Sequence, residues 1–259
     1  MAAMYDNIKH VNDTFLSENV SQELLAAQEA EYSELRKAII EISKRLSRKL
    51  RVLDIGVGNA RVLRKLHADS IIWNSIENYT GIDAAQNCVD LSNRVISELK
   101  IKQNASAQLL DSQELHKLNQ QYDLVITTWF TAGNFYPDDF IFENYISGTY
   151  DLSTNPKFSK IFRAAFELLE VGGEIVIGSA YIDNEETRLI QESAYLNFGW
   201  EIITSEKDSF VATSDGWWSQ RFTIKQVRQY LEALRGKDLS FIPLDDSDFA
   251  MMIRIKKLR

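Results

Sequence analysis

A glycine-rich turn between an apolar run and a helix-like stretch is the first feature that could do chemistry. The run Arg51–Ile55 contains Asp54, and Gly56 and Gly58 follow it directly. Glycine has no Cβ, so the backbone can turn sharply and approach a ligand. Free N–H groups ahead of a helix favour an acceptor-rich ligand. The turn therefore predicts a cofactor site, and tight packing of strand against helix is the alternative interpretation.

Acidic and polar side chains end the next two apolar runs along the chain. Asp83, followed by Ala84, ends one run, and Asp111 with Ser112 ends the next. The two oxygens of a carboxylate match the spacing of a ribose diol, and Asp111 or Ser112 could meet an adenine amino group. Ligands bind at the carboxyl ends of strands in open α/β sheets. Together with the glycine turn, these residues predict a site for a ligand that contains a nucleoside.

Two cofactors could use such a site, and the residue at position 61 separates them. A dinucleotide motif, G-x-G-x-x-G, would place its third glycine there for close packing of helix and strand. The residue is Arg61, a bulky cation. This disfavours a dinucleotide and with it a dehydrogenase, which remains as an alternative class.

The segment resembles motif I of the class I methyltransferases that depend on S-adenosylmethionine (SAM), written (D/E)-x-G-x-G-x-G. Asp54, Gly56 and Gly58 match, and Ala60 replaces the third glycine. Three further segments resemble family motifs in the same order: a ribose-binding segment at 81–89, a fourth motif at 122–128 and a helix–turn–strand landmark at 168–177. The resemblance covers roughly residues 50–180. It implies SAM as the cofactor, with Asp54 near its methionine end, and a cofactor site made of Asp54, Gly56, Gly58, Asp83, Ala84, Asp111, Ser112 and Thr128.

In this family the substrate is covered by the N-terminal arm, the loop after strand four and material inserted after strand five. The corresponding candidates here are Trp129, Asn134, Tyr136, Tyr181, Trp217, Trp218 and Arg221. Gly133-Asn134-Phe135 resembles a loop of histidine-type amino-acid N-methyltransferases, and an ordinary turn is the alternative. The paired tryptophans could hold a cation on their faces or could fasten a small lid to the core.

Two residues of the N-terminal arm are further candidates for catalysis, next to Asn134. If the arm closes over SAM, Tyr5 would contact cofactor or substrate, and His10 could act as a base. The alternative is that both are ordinary surface residues of the arm.

The elements that must position these residues alternate between strand and helix. Apolar runs at 51–55, 78–82, 106–110, 122–127 and 173–178 are separated by helix-like stretches at 61–68, 88–99, 112–118 and 157–170. Helices are also expected at 21–47, 186–198 and 224–234, and strands at 200–205, 210–213, 240–244 and 249–256. This rhythm indicates βαβ units.

We therefore predict an α/β, Rossmann-like fold: a mostly parallel seven-stranded sheet with an antiparallel edge strand, helices on both faces, an N-terminal helical arm and a lid insertion after strand five. We predict that residues 1–259 form one methyltransferase domain. Its predicted parts are a helical arm at 1–47, a SAM-binding core at 50–180, a substrate lid at 181–222 and closing helix and strands at 223–259.

Composition limits the classes of partner. The net charge of −8 and the absence of an Asn/Asp-Pro-Pro-Tyr/Phe motif after strand four disfavour a nucleic-acid substrate. One cysteine, Cys88, and three scattered histidines give no metal-ligand spacing, so no metal is expected. No apolar run approaches the roughly 20 residues of a membrane span, and no secretory signal is evident. A cytoplasmic enzyme is expected, as a monomer or a homodimer.

The sulfonium of SAM is already electrophilic, so the protein chiefly positions a nucleophile. A neutral amine needs no base, whereas a hydroxyl usually needs one or a metal. We therefore predict methyl transfer to a small molecule, at an amine, amino-acid or guanidine nitrogen. O-methylation of a hydroxyl or carboxyl group and a non-catalytic SAM-binding partner protein are the alternatives.

Overall fold

Short runs rich in valine, isoleucine and leucine form the strands at the centre of the protein. The computed structural model describes residues 5, 10, 11, 14, 22–244 and 249–259. Over these residues the main sheet is built from β1 (Leu50–Ile55), β2 (Ile76–Asp83), β3 (Ala105–Leu109), β4 (Tyr122–Thr127), β5 (Leu169–Tyr181), β8 (Lys237–Pro243) and β9 (Ala250–Lys257). A small separate hairpin consists of β6 (Phe210–Ala212) and β7 (Trp218–Gln220).

The main sheet has seven strands in the order β3-β2-β1-β4-β5-β9-β8. Strands β1 to β5 pair in parallel, and β9 runs antiparallel to both β5 and β8. The predicted fold class, a mostly parallel seven-stranded sheet completed by an antiparallel strand at one edge, is confirmed. The antiparallel strand is β9, the last one in the chain. Strand β8 pairs with the other side of β9 and is the outermost strand at this edge.

Helices cover both faces of this sheet, as predicted. They are α1 (Gln22–Leu46), α2 (Arg61–Ala68), α3 (Ser70–Trp73), α4 (Gln86–Glu98), α5 (Pro156–Glu167), α6 (Glu185–Asn197) and α7 (Ile224–Tyr230), with 3-10 turns at Ser112–Lys117, Thr131–Asn134 and Phe142–Asn144. Neighbouring strand residues belong to opposite faces: Leu124 packs with α1 and α2, whereas Val125 packs with α5 and α7.

Most element bounds agree with the sequence analysis. Helix α7 ends at Tyr230 and not at 234, and helix α3 and strand β7 were not expected. Helix α5 ends at Glu167, and β5 begins early, at Leu169, with Gly172 at a φ of 86°. The expected strand at 200–205 is wrong: that segment has only an isolated bridge from Ile202 to Thr213. The expected helix at 112–118 is a 3-10 turn.

The N-terminal part of the predicted arm at 1–47 lies largely outside the described residues, and residues 245–248 lie outside them as well. Tyr5, His10, Val11 and Thr14 have helical backbone. No helix among the described residues is both long and apolar enough to cross a membrane.

Candidate functional site

A cleft opens at the carboxyl ends of β1, β2 and β4. The parallel strands deliver their ends to one edge of the sheet, which is why residues far apart in sequence meet there. Of the predicted site residues, the cleft is lined by Tyr5, Gly56, Gly58, Asp83, Ala84, Ser112, Thr128, Trp129 and Asn134. It is also lined by residues that were not predicted, among them Arg61, Leu110, Thr131 and Phe135.

The glycine turn has the backbone that its sequence suggested. Gly56 has a φ of 78° and Gly58 a φ of 54°, both in the left-handed region. A Cβ at Gly56 would lie 2.6 Å from the Thr131 Cγ2 atom, so the turn needs glycine there for space as well as for conformation. Ala60, where the family motif has glycine, is also left-handed at 57°. Alanine in this region costs about 1–2 kcal/mol.

Asp83 joins the end of β2 to the glycine turn. One carboxylate oxygen accepts the Gly58 N–H at 3.0 Å, and the other accepts the Ala85 N–H at 3.0 Å. Burial raises the pKa of this carboxyl group, and the backbone N–H donors oppose that shift. A carboxylate has about four lone-pair positions, so both oxygens retain capacity to accept hydroxyl donors.

Asp54 lies within β1, immediately behind the turn, and is almost completely buried. The Tyr79 hydroxyl donates to its Oδ2 atom, and its Oδ1 atom has no partner among the described residues. Burial raises the pKa of Asp54 from 3.8 to about 7, although the hydrogen bond from Tyr79 favours the anion. This carboxyl group is therefore poised to change charge near neutrality.

A partly buried ion pair stands at the same end of the cleft. The Arg61 Nη2 atom lies 3.2 Å from Glu31 Oε1, and the guanidinium lies 5.0 Å from the centroid of the Trp129 ring. The Arg61 Nη1 atom is buried without a partner among the described residues. This position of Arg61 at the cleft was not predicted from the sequence, where the residue only disfavoured a dinucleotide motif.

Comparison with known proteins identifies the family. Residues 46–232 match a family model described as a methyltransferase domain. The chain belongs to the methyltransferase domain family. The methyltransferase is an enzyme, and its methyl donor is SAM.

Solved structures share its fold at low sequence identity. The CcbJ methyltransferase from Streptomyces caelestis has 14% identity and a TM-score of 0.60, with 100% of this chain and 99% of that chain covered. A SAM-dependent methyltransferase from Clostridium acetobutylicum ATCC 824 has 12% identity and a TM-score of 0.58, with 98% of each chain covered. The magnesium protoporphyrin IX methyltransferase from Synechocystis PCC 6803 has 11% identity and a TM-score of 0.57, over 98% and 94% of the chains. No curated protein sequence is significantly similar to the methyltransferase.

The residues around the cleft fit the groups that SAM carries. Buried polar atoms without a partner among the described residues include Asp54 Oδ1, Arg61 Nη1, Ser112 Oγ and Asn134 Oδ1. Arg61, Ser112 and Asn134 line the cleft, and Asp54 is next to the lining residue Ile55. Buried polar groups are normally hydrogen-bonded, so such a concentration indicates a polar ligand. A carboxylate, a guanidinium and a hydroxyl can meet an ammonium, a carboxylate and an adenine, respectively.

The loop after β4 also lines the cleft, through Trp129, Thr131 and Asn134. Trp129 and Phe130 are consecutive left-handed residues, with φ values of 53° and 59°. The 3-10 turn that follows carries Gly133 and Asn134, and a Cβ at Gly133 would lie only 3.0 Å from the Gln220 carbonyl oxygen. This close approach to β7 fixes the turn that carries the largely buried Asn134.

Two predicted substrate residues lie in a separate aromatic cluster, which corrects the expectation that they wall the cleft. Trp218 is completely buried and stacks on Phe210 with a centroid distance of 3.8 Å. Tyr136 packs on Trp218 at 6.0 Å, and the Lys157 ammonium lies 4.8 Å from the Tyr136 ring centroid. Trp218 is the first residue of β7, and its neighbour Trp217, just before the strand, packs against Tyr5 instead.

Arg221 is also placed differently from the expectation. Its guanidinium is buried, donates to Asp183 and Gln191 and reaches the Asp208 carbonyl, and it does not line the cleft. Burial lowers the pKa of Arg221, against the opposing effect of Asp183. These contacts join α6 to the segment before β6, which is a structural role.

Three further predicted residues lie near the cleft without lining it. Tyr181 is buried and stacks on Phe130 at 3.7 Å, and Trp217 packs edge-on against Tyr5 at 5.8 Å. Asp111 caps the 3-10 turn at Ser112–Lys117 by accepting the Gln113 N–H at 2.8 Å, while its neighbour Ser112 lines the cleft. Trp217 thus contacts the lining residue Tyr5, and Tyr181 contacts Phe130, which stands between the lining residues Trp129 and Thr131.

The two arm candidates separate in the structure. Tyr5 lines the cleft, and its carbonyl oxygen accepts from the Asn87 side chain at 3.0 Å. Burial raises the pKa of Tyr5 well above its ordinary value. His10 does not line the cleft: its Nε2 atom lies 2.6 Å from Asp215, and its ring packs against Trp200. The idea that His10 is a base at the methyl-transfer site is therefore not supported by its position.

Within the part of the chain that the structure describes, no group of three or more histidine, cysteine, aspartate or glutamate side chains could hold a metal ion. Cys88 is buried. The titratable side chains that line the cleft are Tyr5, Arg61 and Asp83.

Proposed function

We propose that this enzyme transfers a methyl group from SAM to the nitrogen of a small amine, such as an amino acid. One observation supports a nitrogen acceptor: the described residues of the loop after β4 that line the cleft include a buried amide, Asn134, and no carboxylate or imidazole. The amide Oδ1 has no partner in the described part of the chain. It can accept an N–H from a neutral amine and hold the nitrogen lone pair towards the methyl group.

The cofactor supplies a sulfonium whose S–CH3 bond breaks as the N–CH3 bond forms, leaving S-adenosylhomocysteine (SAH), and the amine releases its proton to solvent. In the proposed arrangement Asp83 receives the ribose hydroxyls and Ser112 meets the adenine. Gly56, Gly58 and Ala84 allow the close approach of the cofactor. Thr128, at the end of β4, lies beside the transferred methyl group.

At the amino-acid end of the cofactor, we propose that Asp54 attracts the ammonium and Arg61 the carboxylate. The two side chains carry the complementary charges and each has an atom without a partner among the described residues. Charge-assisted hydrogen bonds of this kind are stronger than neutral ones. Trp129 and Tyr5 narrow the cleft and exclude water, and the predicted lid at 181–222 supports Tyr5 through Trp217.

A small-molecule substrate is proposed on charge and composition. The net charge of −8 opposes binding to a phosphate backbone. Trp129, already under the Arg61 guanidinium, is a lining aromatic against which a small substrate can pack.

The test is turnover of SAM to SAH with a panel of amino acids, simple amines, phenols and carboxylic acids. Amines are expected to be the acceptors. Asn134→Ala should lower kcat/KM by about 10- to 100-fold, because it removes a buried hydrogen bond of about 1–3 kcal/mol, and it should leave the SAH affinity nearly unchanged. Asn144→Ala, at an exposed position of a similar 3-10 turn, is the matched control. Turnover with hydroxyl or carboxyl acceptors alone would reject the proposal.

A further inference from the structure

Glu31 is a carboxylate in the middle of the long helix α1, and it is 1% exposed. Its Oε2 atom accepts the Trp129 N–H at 2.8 Å, the Ser179 N–H at 2.7 Å and the Ser179 hydroxyl at 2.7 Å. Its Oε1 atom lies 3.2 Å from Arg61 Nη2. One side chain thus joins α1, the loop after β4, the end of β5 and the start of α2.

The protein is built to accommodate this carboxylate. A Cβ at Gly178 would lie 2.5 Å from Glu31 Oε2, so β5 leaves room for it only because residue 178 is glycine. Burying a carboxylate is unfavourable unless it is paired and hydrogen-bonded. Here both oxygens have donors, and two of the three donor residues, Trp129 and Arg61, line the cleft.

One donor to Glu31 belongs to a strained part of the backbone. Trp129 and Phe130 both have positive φ values, 53° and 59°, which residues with side chains rarely adopt. Such conformations persist only where the surroundings hold them in place. The Trp129 N–H bonds to Glu31, and the Phe130 N–H bonds to the Ser179 carbonyl at 3.1 Å. Glu31 and Ser179 therefore hold the turn that sets the Trp129 ring against the cleft.

Another donor to Glu31 is the Arg61 guanidinium, which is proposed to bind the carboxylate of the cofactor. Glu31 accepts from Nη2, the guanidinium carbon lies 5.0 Å from the centroid of the Trp129 ring, and Nη1 remains without a partner in the described part of the chain. Because a guanidinium is planar and rigid, holding one nitrogen at Glu31 and the group over the Trp129 ring restricts the direction of the other nitrogen. Glu31 thereby restricts where Nη1 points.

We propose that Glu31 is a positioning residue: it holds Arg61 and the Trp129 backbone so that the amino-acid end of the cofactor is bound in one orientation. This inference rests on the cofactor placement under the proposed function, and it does not depend on which acceptor is methylated.

The test compares two ligands that differ only at that end. SAH carries the ammonium and the carboxylate, whereas 5′-methylthioadenosine has the same nucleoside without the amino-acid group. Dissociation constants are measured by calorimetry for wild type, Glu31→Gln and Glu29→Gln. In Glu31→Gln the amide oxygen can still accept from Trp129 and Ser179, while the amide NH2 now faces Arg61. Glu29, on the same helix, pairs with Lys65 and is mostly exposed, so it is a matched control.

Glu31→Gln is expected to weaken SAH binding by about tenfold or more, since it turns a charge-assisted contact of Arg61 into a repulsive one, and to change 5′-methylthioadenosine binding by less than about twofold. Glu29→Gln should change neither. Equal weakening of both ligands would mean that Glu31 only maintains the fold, and no weakening of either would mean that Arg61 is held without it. Both results overturn the proposal.

A double-mutant cycle tests the route through Arg61. In an Arg61→Gln background, Glu31→Gln should cause little further loss of SAH affinity, because the residue through which it acts is gone. Full additivity of the two losses would refute that route.

If Glu31→Gln does not fold, Glu31→Asp serves instead. It keeps the charge but shortens the side chain, and the same selective loss of SAH affinity is expected. Since no acceptor is present, failure of amine turnover and failure of this inference are separate results.

Discussion

Replacing Tyr79 with phenylalanine should shift the pH at which the enzyme gains affinity for SAH. The Tyr79 hydroxyl donates to Asp54, a buried carboxyl group whose pKa burial raises to about 7. Only the ionised form attracts the ligand ammonium, so we expect SAH affinity to rise with pH through this value. The phenol favours the anion, and Tyr79→Phe therefore raises the pKa further.

The size of the shift follows from the hydrogen bond. A hydrogen bond to a charged group contributes about 1.5–3 kcal/mol and one pKa unit corresponds to about 1.4 kcal/mol, so the midpoint should rise by roughly one unit or more. The stability of the unliganded enzyme changes with pH in the opposite direction to its SAH affinity. Because folding raises the pKa of Asp54 above its ordinary 3.8, the neutral form is favoured in the folded protein. The unliganded enzyme should lose up to about 4 kcal/mol of stability as the pH rises from about 4 to above 7.

Calorimetric titration of SAH from about pH 5.5 to about pH 9 measures the midpoint. Asp54→Asn should abolish the rise near neutrality. Tyr32→Phe removes a different partly buried hydroxyl, one that donates to the Lys65 carbonyl away from the cleft, and should leave the midpoint in place. The reasoning is refuted if the wild-type affinity shows no inflection within about one unit of pH 7, or if Tyr79→Phe has the wild-type midpoint.

Three further outcomes are expected. Gly56→Ala should weaken SAH binding about tenfold or more and lower the Tm, because residue 56 has a left-handed backbone and its new methyl group would clash with Thr131. An unchanged dissociation constant together with an unchanged Tm would contradict this. Asp83→Asn should weaken adenosine and SAH alike by about tenfold, since an amide presents one acceptor oxygen and not two; a loss confined to SAH would place Asp83 elsewhere. Arg221→Met should cost about 3 kcal/mol or more in urea unfolding, as it leaves the buried partners of the guanidinium unsatisfied, while SAH affinity stays the same. A loss of SAH affinity without a loss of stability would restore a site role for Arg221.

The part of the site that was predicted from the sequence is the part encoded locally. Gly56 and Gly58 stand directly after β1, and Asp83 and Ser112 stand at the ends of the next two strands. A parallel sheet brings such ends together whatever the lengths of the helices between them. Strand spacing and turn chemistry therefore sufficed to assemble one wall of the cleft.

Glu31 was missed because its contacts are distant in sequence: it meets Trp129 across 98 residues and Ser179 across 148. A signal was present nonetheless. The buried face of α1 includes Leu24, Ala27, Leu35 and Ile42, and Glu31 stands in that apolar series. A glutamate at a buried position of an amphipathic helix requires a buried donor, and that requirement could have identified it.

The tryptophan pair was misjudged for a geometric reason. Trp217 lies just before β7 and Trp218 is its first residue, so adjacency in sequence did not mean that the two rings share the same surroundings. Trp218 lies in β7 and enters the aromatic cluster around Phe210, whereas Trp217 packs against Tyr5. The short hairpin of β6 and β7 was not recognised as such from the sequence, because its strands are only three residues long.

The charged end of the cleft gives a physical reason for measuring selectivity between ligands as well as affinity. In the unliganded enzyme, Asp54 Oδ1 and Arg61 Nη1 are buried without partners among the described residues, and each such group costs about 1–3 kcal/mol. A ligand that brings an ammonium and a carboxylate relieves both costs, whereas a nucleoside alone relieves neither. The preference for SAH over 5′-methylthioadenosine thus measures how well Asp54 and Arg61 are held. A substitution that merely loosens the fold weakens both ligands, and one that misdirects these two side chains changes the preference.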